Sequence, residues 1–181
     1  MKSLFILLLL FTASCNKDEP VADEGISDSQ TLDHGGGTSG DSSTGDPSGG
    51  TTAPQTKTQE FMNLINSHRM GMGLKALIHD EDVGIIATTH SENMATGLTP
   101  FGHTGFSARC SEARSVLGGG NLCAENVAMG QKTVQAAFTA WLNSSGHRAN
   151  IEQPRATHTG FGYKQNTSGT YYWTQIFIEK N

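Results

Sequence analysis

The 181-residue chain lacks a basic excess: 12 lysines and arginines stand against 17 aspartates and glutamates, for a formal net charge of −5. Binding to nucleic acid calls for a basic face, so the composition leaves no electrostatic case for it. The deficit is also uneven. Residues 16–56 hold eight acids against Lys17, and with Lys2 set aside this leaves residues 57–181 almost neutral at +1. No internal repeat is present. The apolar run Leu4–Phe11 is too short to cross a bilayer as a helix. HExxH and GxSxG are both missing, so neither standard hydrolase route is signalled. Cysteine is scarce, with Cys15, Cys110 and Cys123 accounting for all three.

Three segments of different character are present. Lys2, the apolar run and the small residues Thr12, Ala13 and Ser14 before Cys15 make residues 1–15 a secretory leader. Its end is similar to the lipobox of bacterial lipoproteins, which implies an acylated Cys15 and durable membrane attachment, since each buried methylene contributes about 0.8 kcal/mol. Asn16, standing where inner-membrane retention typically has aspartate, makes the outer membrane the expected destination. Residues 16–56 are rich in Gly, Ser, Thr and Asp and have no aromatic residue, which reads as a flexible acidic tether. Residues 57–181 are enough for one domain with its own core.

Within that domain the apolar spacing predicts three helices. Phe61, Leu64, Ile65 and His68 follow a threonine cap at position 56 or 58 and run to the glycines at 71 and 73, with Arg69 suited to the helix C-terminus. Val83, Ile86, Ala87, His90 and Met94 follow the acidic start at residues 80–82. Val134, Ala137, Phe138 and Trp141 follow Thr133. His68 and His90 share apolar stripes and are expected to be core histidines bonded locally. Residues 157–164 and 170–178, joined by a turn over 166–169, read as an antiparallel hairpin.

Residues 98–124 read as irregular, broken by Pro100 and by glycines at 102, 105 and 118–120. His103 falls off every periodic face and is expected to be exposed and functional. Cys110 and Cys123 remain after Cys15 is assigned to lipid, and an exported chain meets oxidising conditions; they are expected to be bridged, the alternative being two buried thiols. Glu125 opens a short strand, Glu125 to Gly130, where it is either held rigidly or a solvated surface acid. In WLNSSGHRANI, 141–151, the polar residues 143–146 end one helix and can cap another turn, which places His147 at an element boundary.

These residues carry a likeness. NSHRMGMGLKAL (66–77), HSENMA (90–95), FGHTG (101–105), AENVAMG (124–130), WLNSSGHRANI (141–151), GFGY (160–163) and YYWTQIF (171–177) together resemble the CAP superfamily, which comprises the cysteine-rich secretory proteins, insect venom antigens and plant pathogenesis-related proteins (the SCP domain). The short bacterial members are the nearest in pattern. The resemblance implies an α+β fold, an α-β-α sandwich with a small antiparallel sheet between helical layers. It also implies a cleft of two histidines and two acids: His103, Glu125 and His147 match three of the four, and the second acid falls on Ser144.

With serine there, the cleft lacks the second carboxylate that a two-acid mechanism needs. Two imidazoles and a carboxylate make a ligand set for zinc or another divalent cation, with one position open. The resemblance also implies a lipid, sterol or other envelope ligand. The reading taken is a lipid-anchored, non-enzymatic binding domain. The competing reading is a zinc-dependent peptidase or esterase with Glu125 as base; Ser144 or Ser145 beside His147 would be a weak nucleophile candidate, since serines at helix ends are mostly caps.

Overall fold

The computed structural model describes residues 55–180, so the expected leader, the expected acylation of Cys15 and nearly all of the expected tether lie outside the described residues. The elements run α1 (Lys57–Gly71), β1 (Ile78–His79), α2 (Glu81–Ala95), α3 (Phe106–Leu117), β2 (Gly119–Met129), α4 (Val134–Asn143), α5 (Ser145–Ile151), β3 (His158–Gln165) and β4 (Tyr171–Lys180). The four strands form one sheet in the order β1-β3-β4-β2, antiparallel except where β1 meets β3. Helices α2 and α3 cover one face, and α1, α4 and α5 lie on the other, which is the α-β-α sandwich.

Local chemistry accounts for most boundaries. Thr56 caps α1 in a reciprocal capping box with Gln59. Asp80 caps α2 by accepting from the Val83 N–H, and Thr133 caps α4 by accepting from Ala136. The expected stripes then become the two cores. Phe61 and Ile65 of α1 meet Phe138 and Trp141 of α4 over Phe161 and Trp173, with the Phe61 and Phe161 rings stacked 4.0 Å apart. Val83, Ile86 and Ala87 of α2 meet Ile176 and Ile178 on the opposite face.

The segment expected to be irregular differs most. It contains α3 and the first half of β2, an 11-residue strand rather than a short one. The helix has no side-chain N-cap and is bounded by left-handed glycines, Gly105 at φ 80° and Gly118 at φ 60°, which from sequence read as loop punctuation. Phe106, Cys110, Ala113 and Leu117 nevertheless repeat at i, i+4, i+7 and i+11, and the last three are buried. The Cys110–Cys123 disulfide ties α3 to β2 with a Cα separation of 5.9 Å. Closing a loop of that length contributes about 3 kcal/mol in the chain-entropy model.

One further expectation changes. His68 is half-buried and pairs with Glu152 at 3.0 Å rather than bonding within the core. Arg69 does stand in the last turn of α1, as expected, but it is fully buried, which the helix-end reading did not address.

Candidate functional site

The long edge strand β2 organises the candidate site because successive side chains leave it on opposite faces. Glu125 stands opposite Ile176, whose side chain packs in the α2/α3 core, so its carboxylate points toward that layer. Asn126 stands opposite Gln175 and projects the other way. One strand therefore reaches both helical layers with adjacent residues.

On the α2/α3 side, the Glu125 side chain is 1% exposed and its carboxylate accepts three hydrogen bonds. Arg109 of α3 donates through Nε to Oε2 and through Nη2 to Oε1, both at 2.7 Å, in a two-point clamp. Its Nη1 donates to the Thr104 carbonyl at 2.7 Å, which ties the His103 loop to the same guanidinium. His103 Nδ1 lies 2.9 Å from Glu125 Oε1, on a side chain that is 50% exposed. An ionised carboxylate only accepts, so Nδ1 carries the hydrogen and Nε2 holds the lone pair whenever the ring is neutral. The ring is thus oriented from behind by a buried acid, and its face is open.

On the other side, the fully buried Asn126 donates from Nδ2 to the His147 carbonyl at 3.1 Å and accepts from Asn150 Nδ2 at 2.9 Å. Asn150 also donates to the Glu125 carbonyl at 3.3 Å. These bonds dock α5 against β2 and fix His147 in the first turn of that helix. Ser144 is the junction that ends α4 and begins α5; its carbonyl accepts from Arg148, and its hydroxyl makes no capping bond.

The charges follow from this packing. Burial pushes the Glu125 carboxyl up, but the hydrogen bonds from His103 and Arg109 and the guanidinium charge outweigh it, so the pKa lies below the ordinary value of 4.5. Burial pushes His147 down, and the charge of nearby His103 pushes it further. Burial lowers His90 too, against the opposing effect of its bond to Gly102. These two histidines bind protons less readily folded than unfolded. The stability they contribute is complete above 6.5, the ordinary histidine value, and is lost as pH falls from there toward their lowered folded values. Glu125 adds a loss of the same sign below 4.5. Urea midpoints measured from pH 8 to pH 4 should therefore hold steady at first and decline below about 6.5; a midpoint that rises on acidification contradicts this assignment.

The expected ligand set needs correction. Among the described residues no three His, Cys, Asp or Glu side chains stand together as a metal-holding group. Glu125 is not placed as a ligand, because both its oxygens are engaged and the Arg109 cation neutralises it. It is instead the outer partner that orients a histidine, as carboxylates behind metal-ligating imidazoles do. What the structure does show of the two imidazoles is that His103 lies near enough to His147 for its charge to lower the His147 pKa. Sequence reasoning missed Arg109 because it missed α3. The repeat of Phe106, Cys110, Ala113 and Leu117 is the signal that would have placed it.

Comparison with known proteins adds a lineage to this geometry. The model of the cysteine-rich secretory protein family (CAP) matches residues 62–177. An uncharacterized protein, YkwD, of Bacillus subtilis (strain 168) is 35% identical over 135 residues, covering 72% of this chain and 51% of the relative. An uncharacterized membrane protein of the same organism, YlbC, is 30% identical over 129 residues, covering 69% of this chain and 35% of its own length. The chain thus spans about half the length, or less, of these curated relatives. Among solved structures, an extracellular protein containing an SCP domain from Bacillus anthracis aligns with TM-score 0.58 and 28% identity, covering 71% of this chain and 45% of that one. An outer surface protein from Borrelia burgdorferi aligns with TM-score 0.59 at 19% identity, over 69% of this chain and 93% of that one, and shares the fold.

Proposed function

Because the chain belongs to the cysteine-rich secretory protein (CAP) family, we propose that it is an exported, non-enzymatic binding domain that presents His103 and His147 to a small polar or lipid ligand at the cell envelope. The observation that carries this reading is the Glu125 anchor: a buried, clamped carboxylate holds the half-exposed His103 ring through Nδ1 at 2.9 Å. A ring fixed in this way loses little freedom when it binds, which favours recognition. The same clamp argues against hydrolysis. A general base works best with a pKa near the operating pH, whereas Glu125 is held low and already accepts three bonds.

A divalent cation such as zinc would be held by the His103 and His147 imidazoles, and when bound would supply a Lewis-acidic position for a ligand oxygen. Glu125 would fix the first ring without entering the ligand set. Export is supported by the leader and by the extracellular description of the Bacillus anthracis protein. Acyl chains on Cys15 and the acidic tether would hold the domain at the outer membrane within reach of envelope ligands.

The test is a zinc titration of the purified chain followed by thermal unfolding. Zinc at 100-fold its dissociation constant should stabilise the chain by about 2.7 kcal/mol at neutral pH, and the effect should vanish at acidic pH, where protons compete with the cation for its ligands. His147→Ala should remove the shift. Absence of any shift at neutral pH would refute the metal role. Turnover of peptide or ester substrates by the zinc-loaded chain, abolished by His147→Ala, would replace the binding reading with a hydrolase.

A further inference from the structure

Helix α3 is fastened to β2 by ties that follow one another in order. Arg109 clamps Glu125, Cys110 is bridged to Cys123, and Arg114 Nη2 donates to the Asn121 carbonyl at 2.7 Å. The chain runs out along α3 and returns along β2 after the left-handed Gly118, so the open end of this unit carries Glu125 on one arm and the His103 loop just before the other. The His103 carbonyl accepts from the Phe106 N–H at 2.9 Å, which makes that loop continuous with the first turn of α3. The helix has no side-chain N-cap there. Its buried residues are Cys110, Ala113 and Leu117, and the one large side chain among them, Leu117, lies at the far end. Cys110 directly follows Arg109, while Cys123 and Glu125 leave β2 on the same face two residues apart. The disulfide therefore stands next to the clamp that orients His103.

We propose that Cys110 and Cys123 are positioning residues for His103: their disulfide holds Arg109 over Glu125, and a dithiol that reduces it releases the ring. The functional weight of that ring rests on the binding reading given above. Without the bridge, Arg109 and Glu125 must meet across 16 residues of chain. With it, only the short links from Arg109 to Cys110 and from Cys123 to Glu125 separate them, and the logarithmic cost of loop closure makes this a difference of about tenfold in how readily the clamp forms. A two-point clamp also needs register, so an unclamped Glu125 no longer offers Oε1 at a fixed point to His103 Nδ1. Cys123 is half-buried and Cys110 only 4% exposed, so exchange begins at Cys123. One thiolate of the dithiol bonds to the Cys123 sulfur, the Cys110–Cys123 bond breaks, and the Cys110 sulfur leaves with the electron pair. The second thiolate of the reductant then displaces Cys123 and closes the reductant into its own disulfide. Two electrons pass to the protein, and both cysteine sulfurs take protons from water.

The test records the ring 15N resonances of His103 in the full chain before and after reduction by a dithiol, at a pH above the ordinary histidine range. It needs no metal or ligand, so its outcome is separate from that of the zinc titration. The oxidised chain should carry the ring hydrogen on Nδ1. Reduction should move the tautomer ratio about tenfold toward the Nε2–H form that a free imidazole prefers, and reoxidation should restore it. The indole N–H groups of Trp141 and Trp173, which donate to the Val127 and Gln131 carbonyls at 3.0 Å, report on the core and should stay in place. Cys110→Ala combined with Cys123→Ala should reproduce the reduced spectrum. Arg114→Ala, which cuts the tie beyond the bridge, should leave the ratio as in the parent. An unchanged ratio on reduction, or an equal change in Arg114→Ala, would overturn the proposal. Loss of both indole signals in the reduced chain and in the double variant would overturn it as well, since the bridge would then hold the whole fold and not the ring.

Discussion

Alanine at Gly160 or at Gly162 is expected to destabilise the domain by about 3 kcal/mol or more, at or beyond the upper end of overpacking costs. At both positions α2 lies directly on the backbone of β3. A Cβ on Gly160 would come within 2.2 Å of the Val83 carbonyl carbon and 2.4 Å of the Gly84 nitrogen, and one on Gly162 within 2.2 Å of the Thr88 nitrogen. The obstructing atoms are helix backbone, so no side-chain rotation relieves them. The whole of α2 would have to lift, opening the core of Val83, Ile86 and Ala87 against Ile176 and Ile178. The bond from Ser91 Oγ to the Gly162 carbonyl at 3.2 Å would be pulled apart as well. Gly146 is the control: it lies in α5 with ordinary φ and no atom within 4 Å of its Cβ position. Alanine there should be neutral or stabilising by up to about 1 kcal/mol through helix propensity. Urea midpoints of the three variants decide the matter, and a Gly162→Ala protein as stable as the parent would refute the close contact.

Arg69→Lys should cost about 3–5 kcal/mol, the range for leaving a buried charge without its partners. Arg69 has no exposed surface, and its guanidinium serves four backbone carbonyls: Lys75 at 2.9 Å, Ile151 at 2.6 Å, Gln153 at 3.0 Å and Ala156 at 3.3 Å. Burial lowers its pKa, yet arginine remains charged at any working pH, so carbonyl dipoles must carry the compensation. Ile151 closes α5, where the negative end of the helix favours a cation. Lysine keeps the charge but cannot reach four oxygens spread over two segments from one nitrogen. For a domain of this size the loss corresponds to a fall in melting temperature of about 10–20 °C. The consequence reaches the site, because Arg69 from α1 and Asn126 from β2 hold α5 from different sides, and α5 carries His147. A lysine variant with an unchanged midpoint would show that the buried carbonyls find other partners.

Much of the fold was legible because it depends on neighbours a few residues away. A threonine at 56 or 58, the acidic start at 80–82 and Thr133 announced α1, α2 and α4, and the apolar period of each helix named the face that is buried. The tyrosine- and tryptophan-rich run after the turn at 166–169 announced the hairpin. The helix α3 was less visible since its ends are glycines and its stripe is built from small residues, with Cys110 and Ala113 between Phe106 and Leu117. The candidate site divides in the same way. His103 off any periodic face read as exposed, and it is.

By itself the sequence determined which side chains were available for chemistry and where α1, α2 and α4 begin to within a residue or two, and it made Cys110 and Cys123 the expected bridge that the structure forms. That Glu125 would be clamped by a guanidinium was decided only when α3 brought Arg109 over it from 16 residues away. Tertiary packing likewise sent Asn126 to hold His147 while its neighbour faced the other layer, and turned Arg69 inward. Caps and periods act through groups within about one helical turn, so a linear reading finds them. Desolvation and charge pairing depend on what lies above a residue in space, and that is settled only when the layers close.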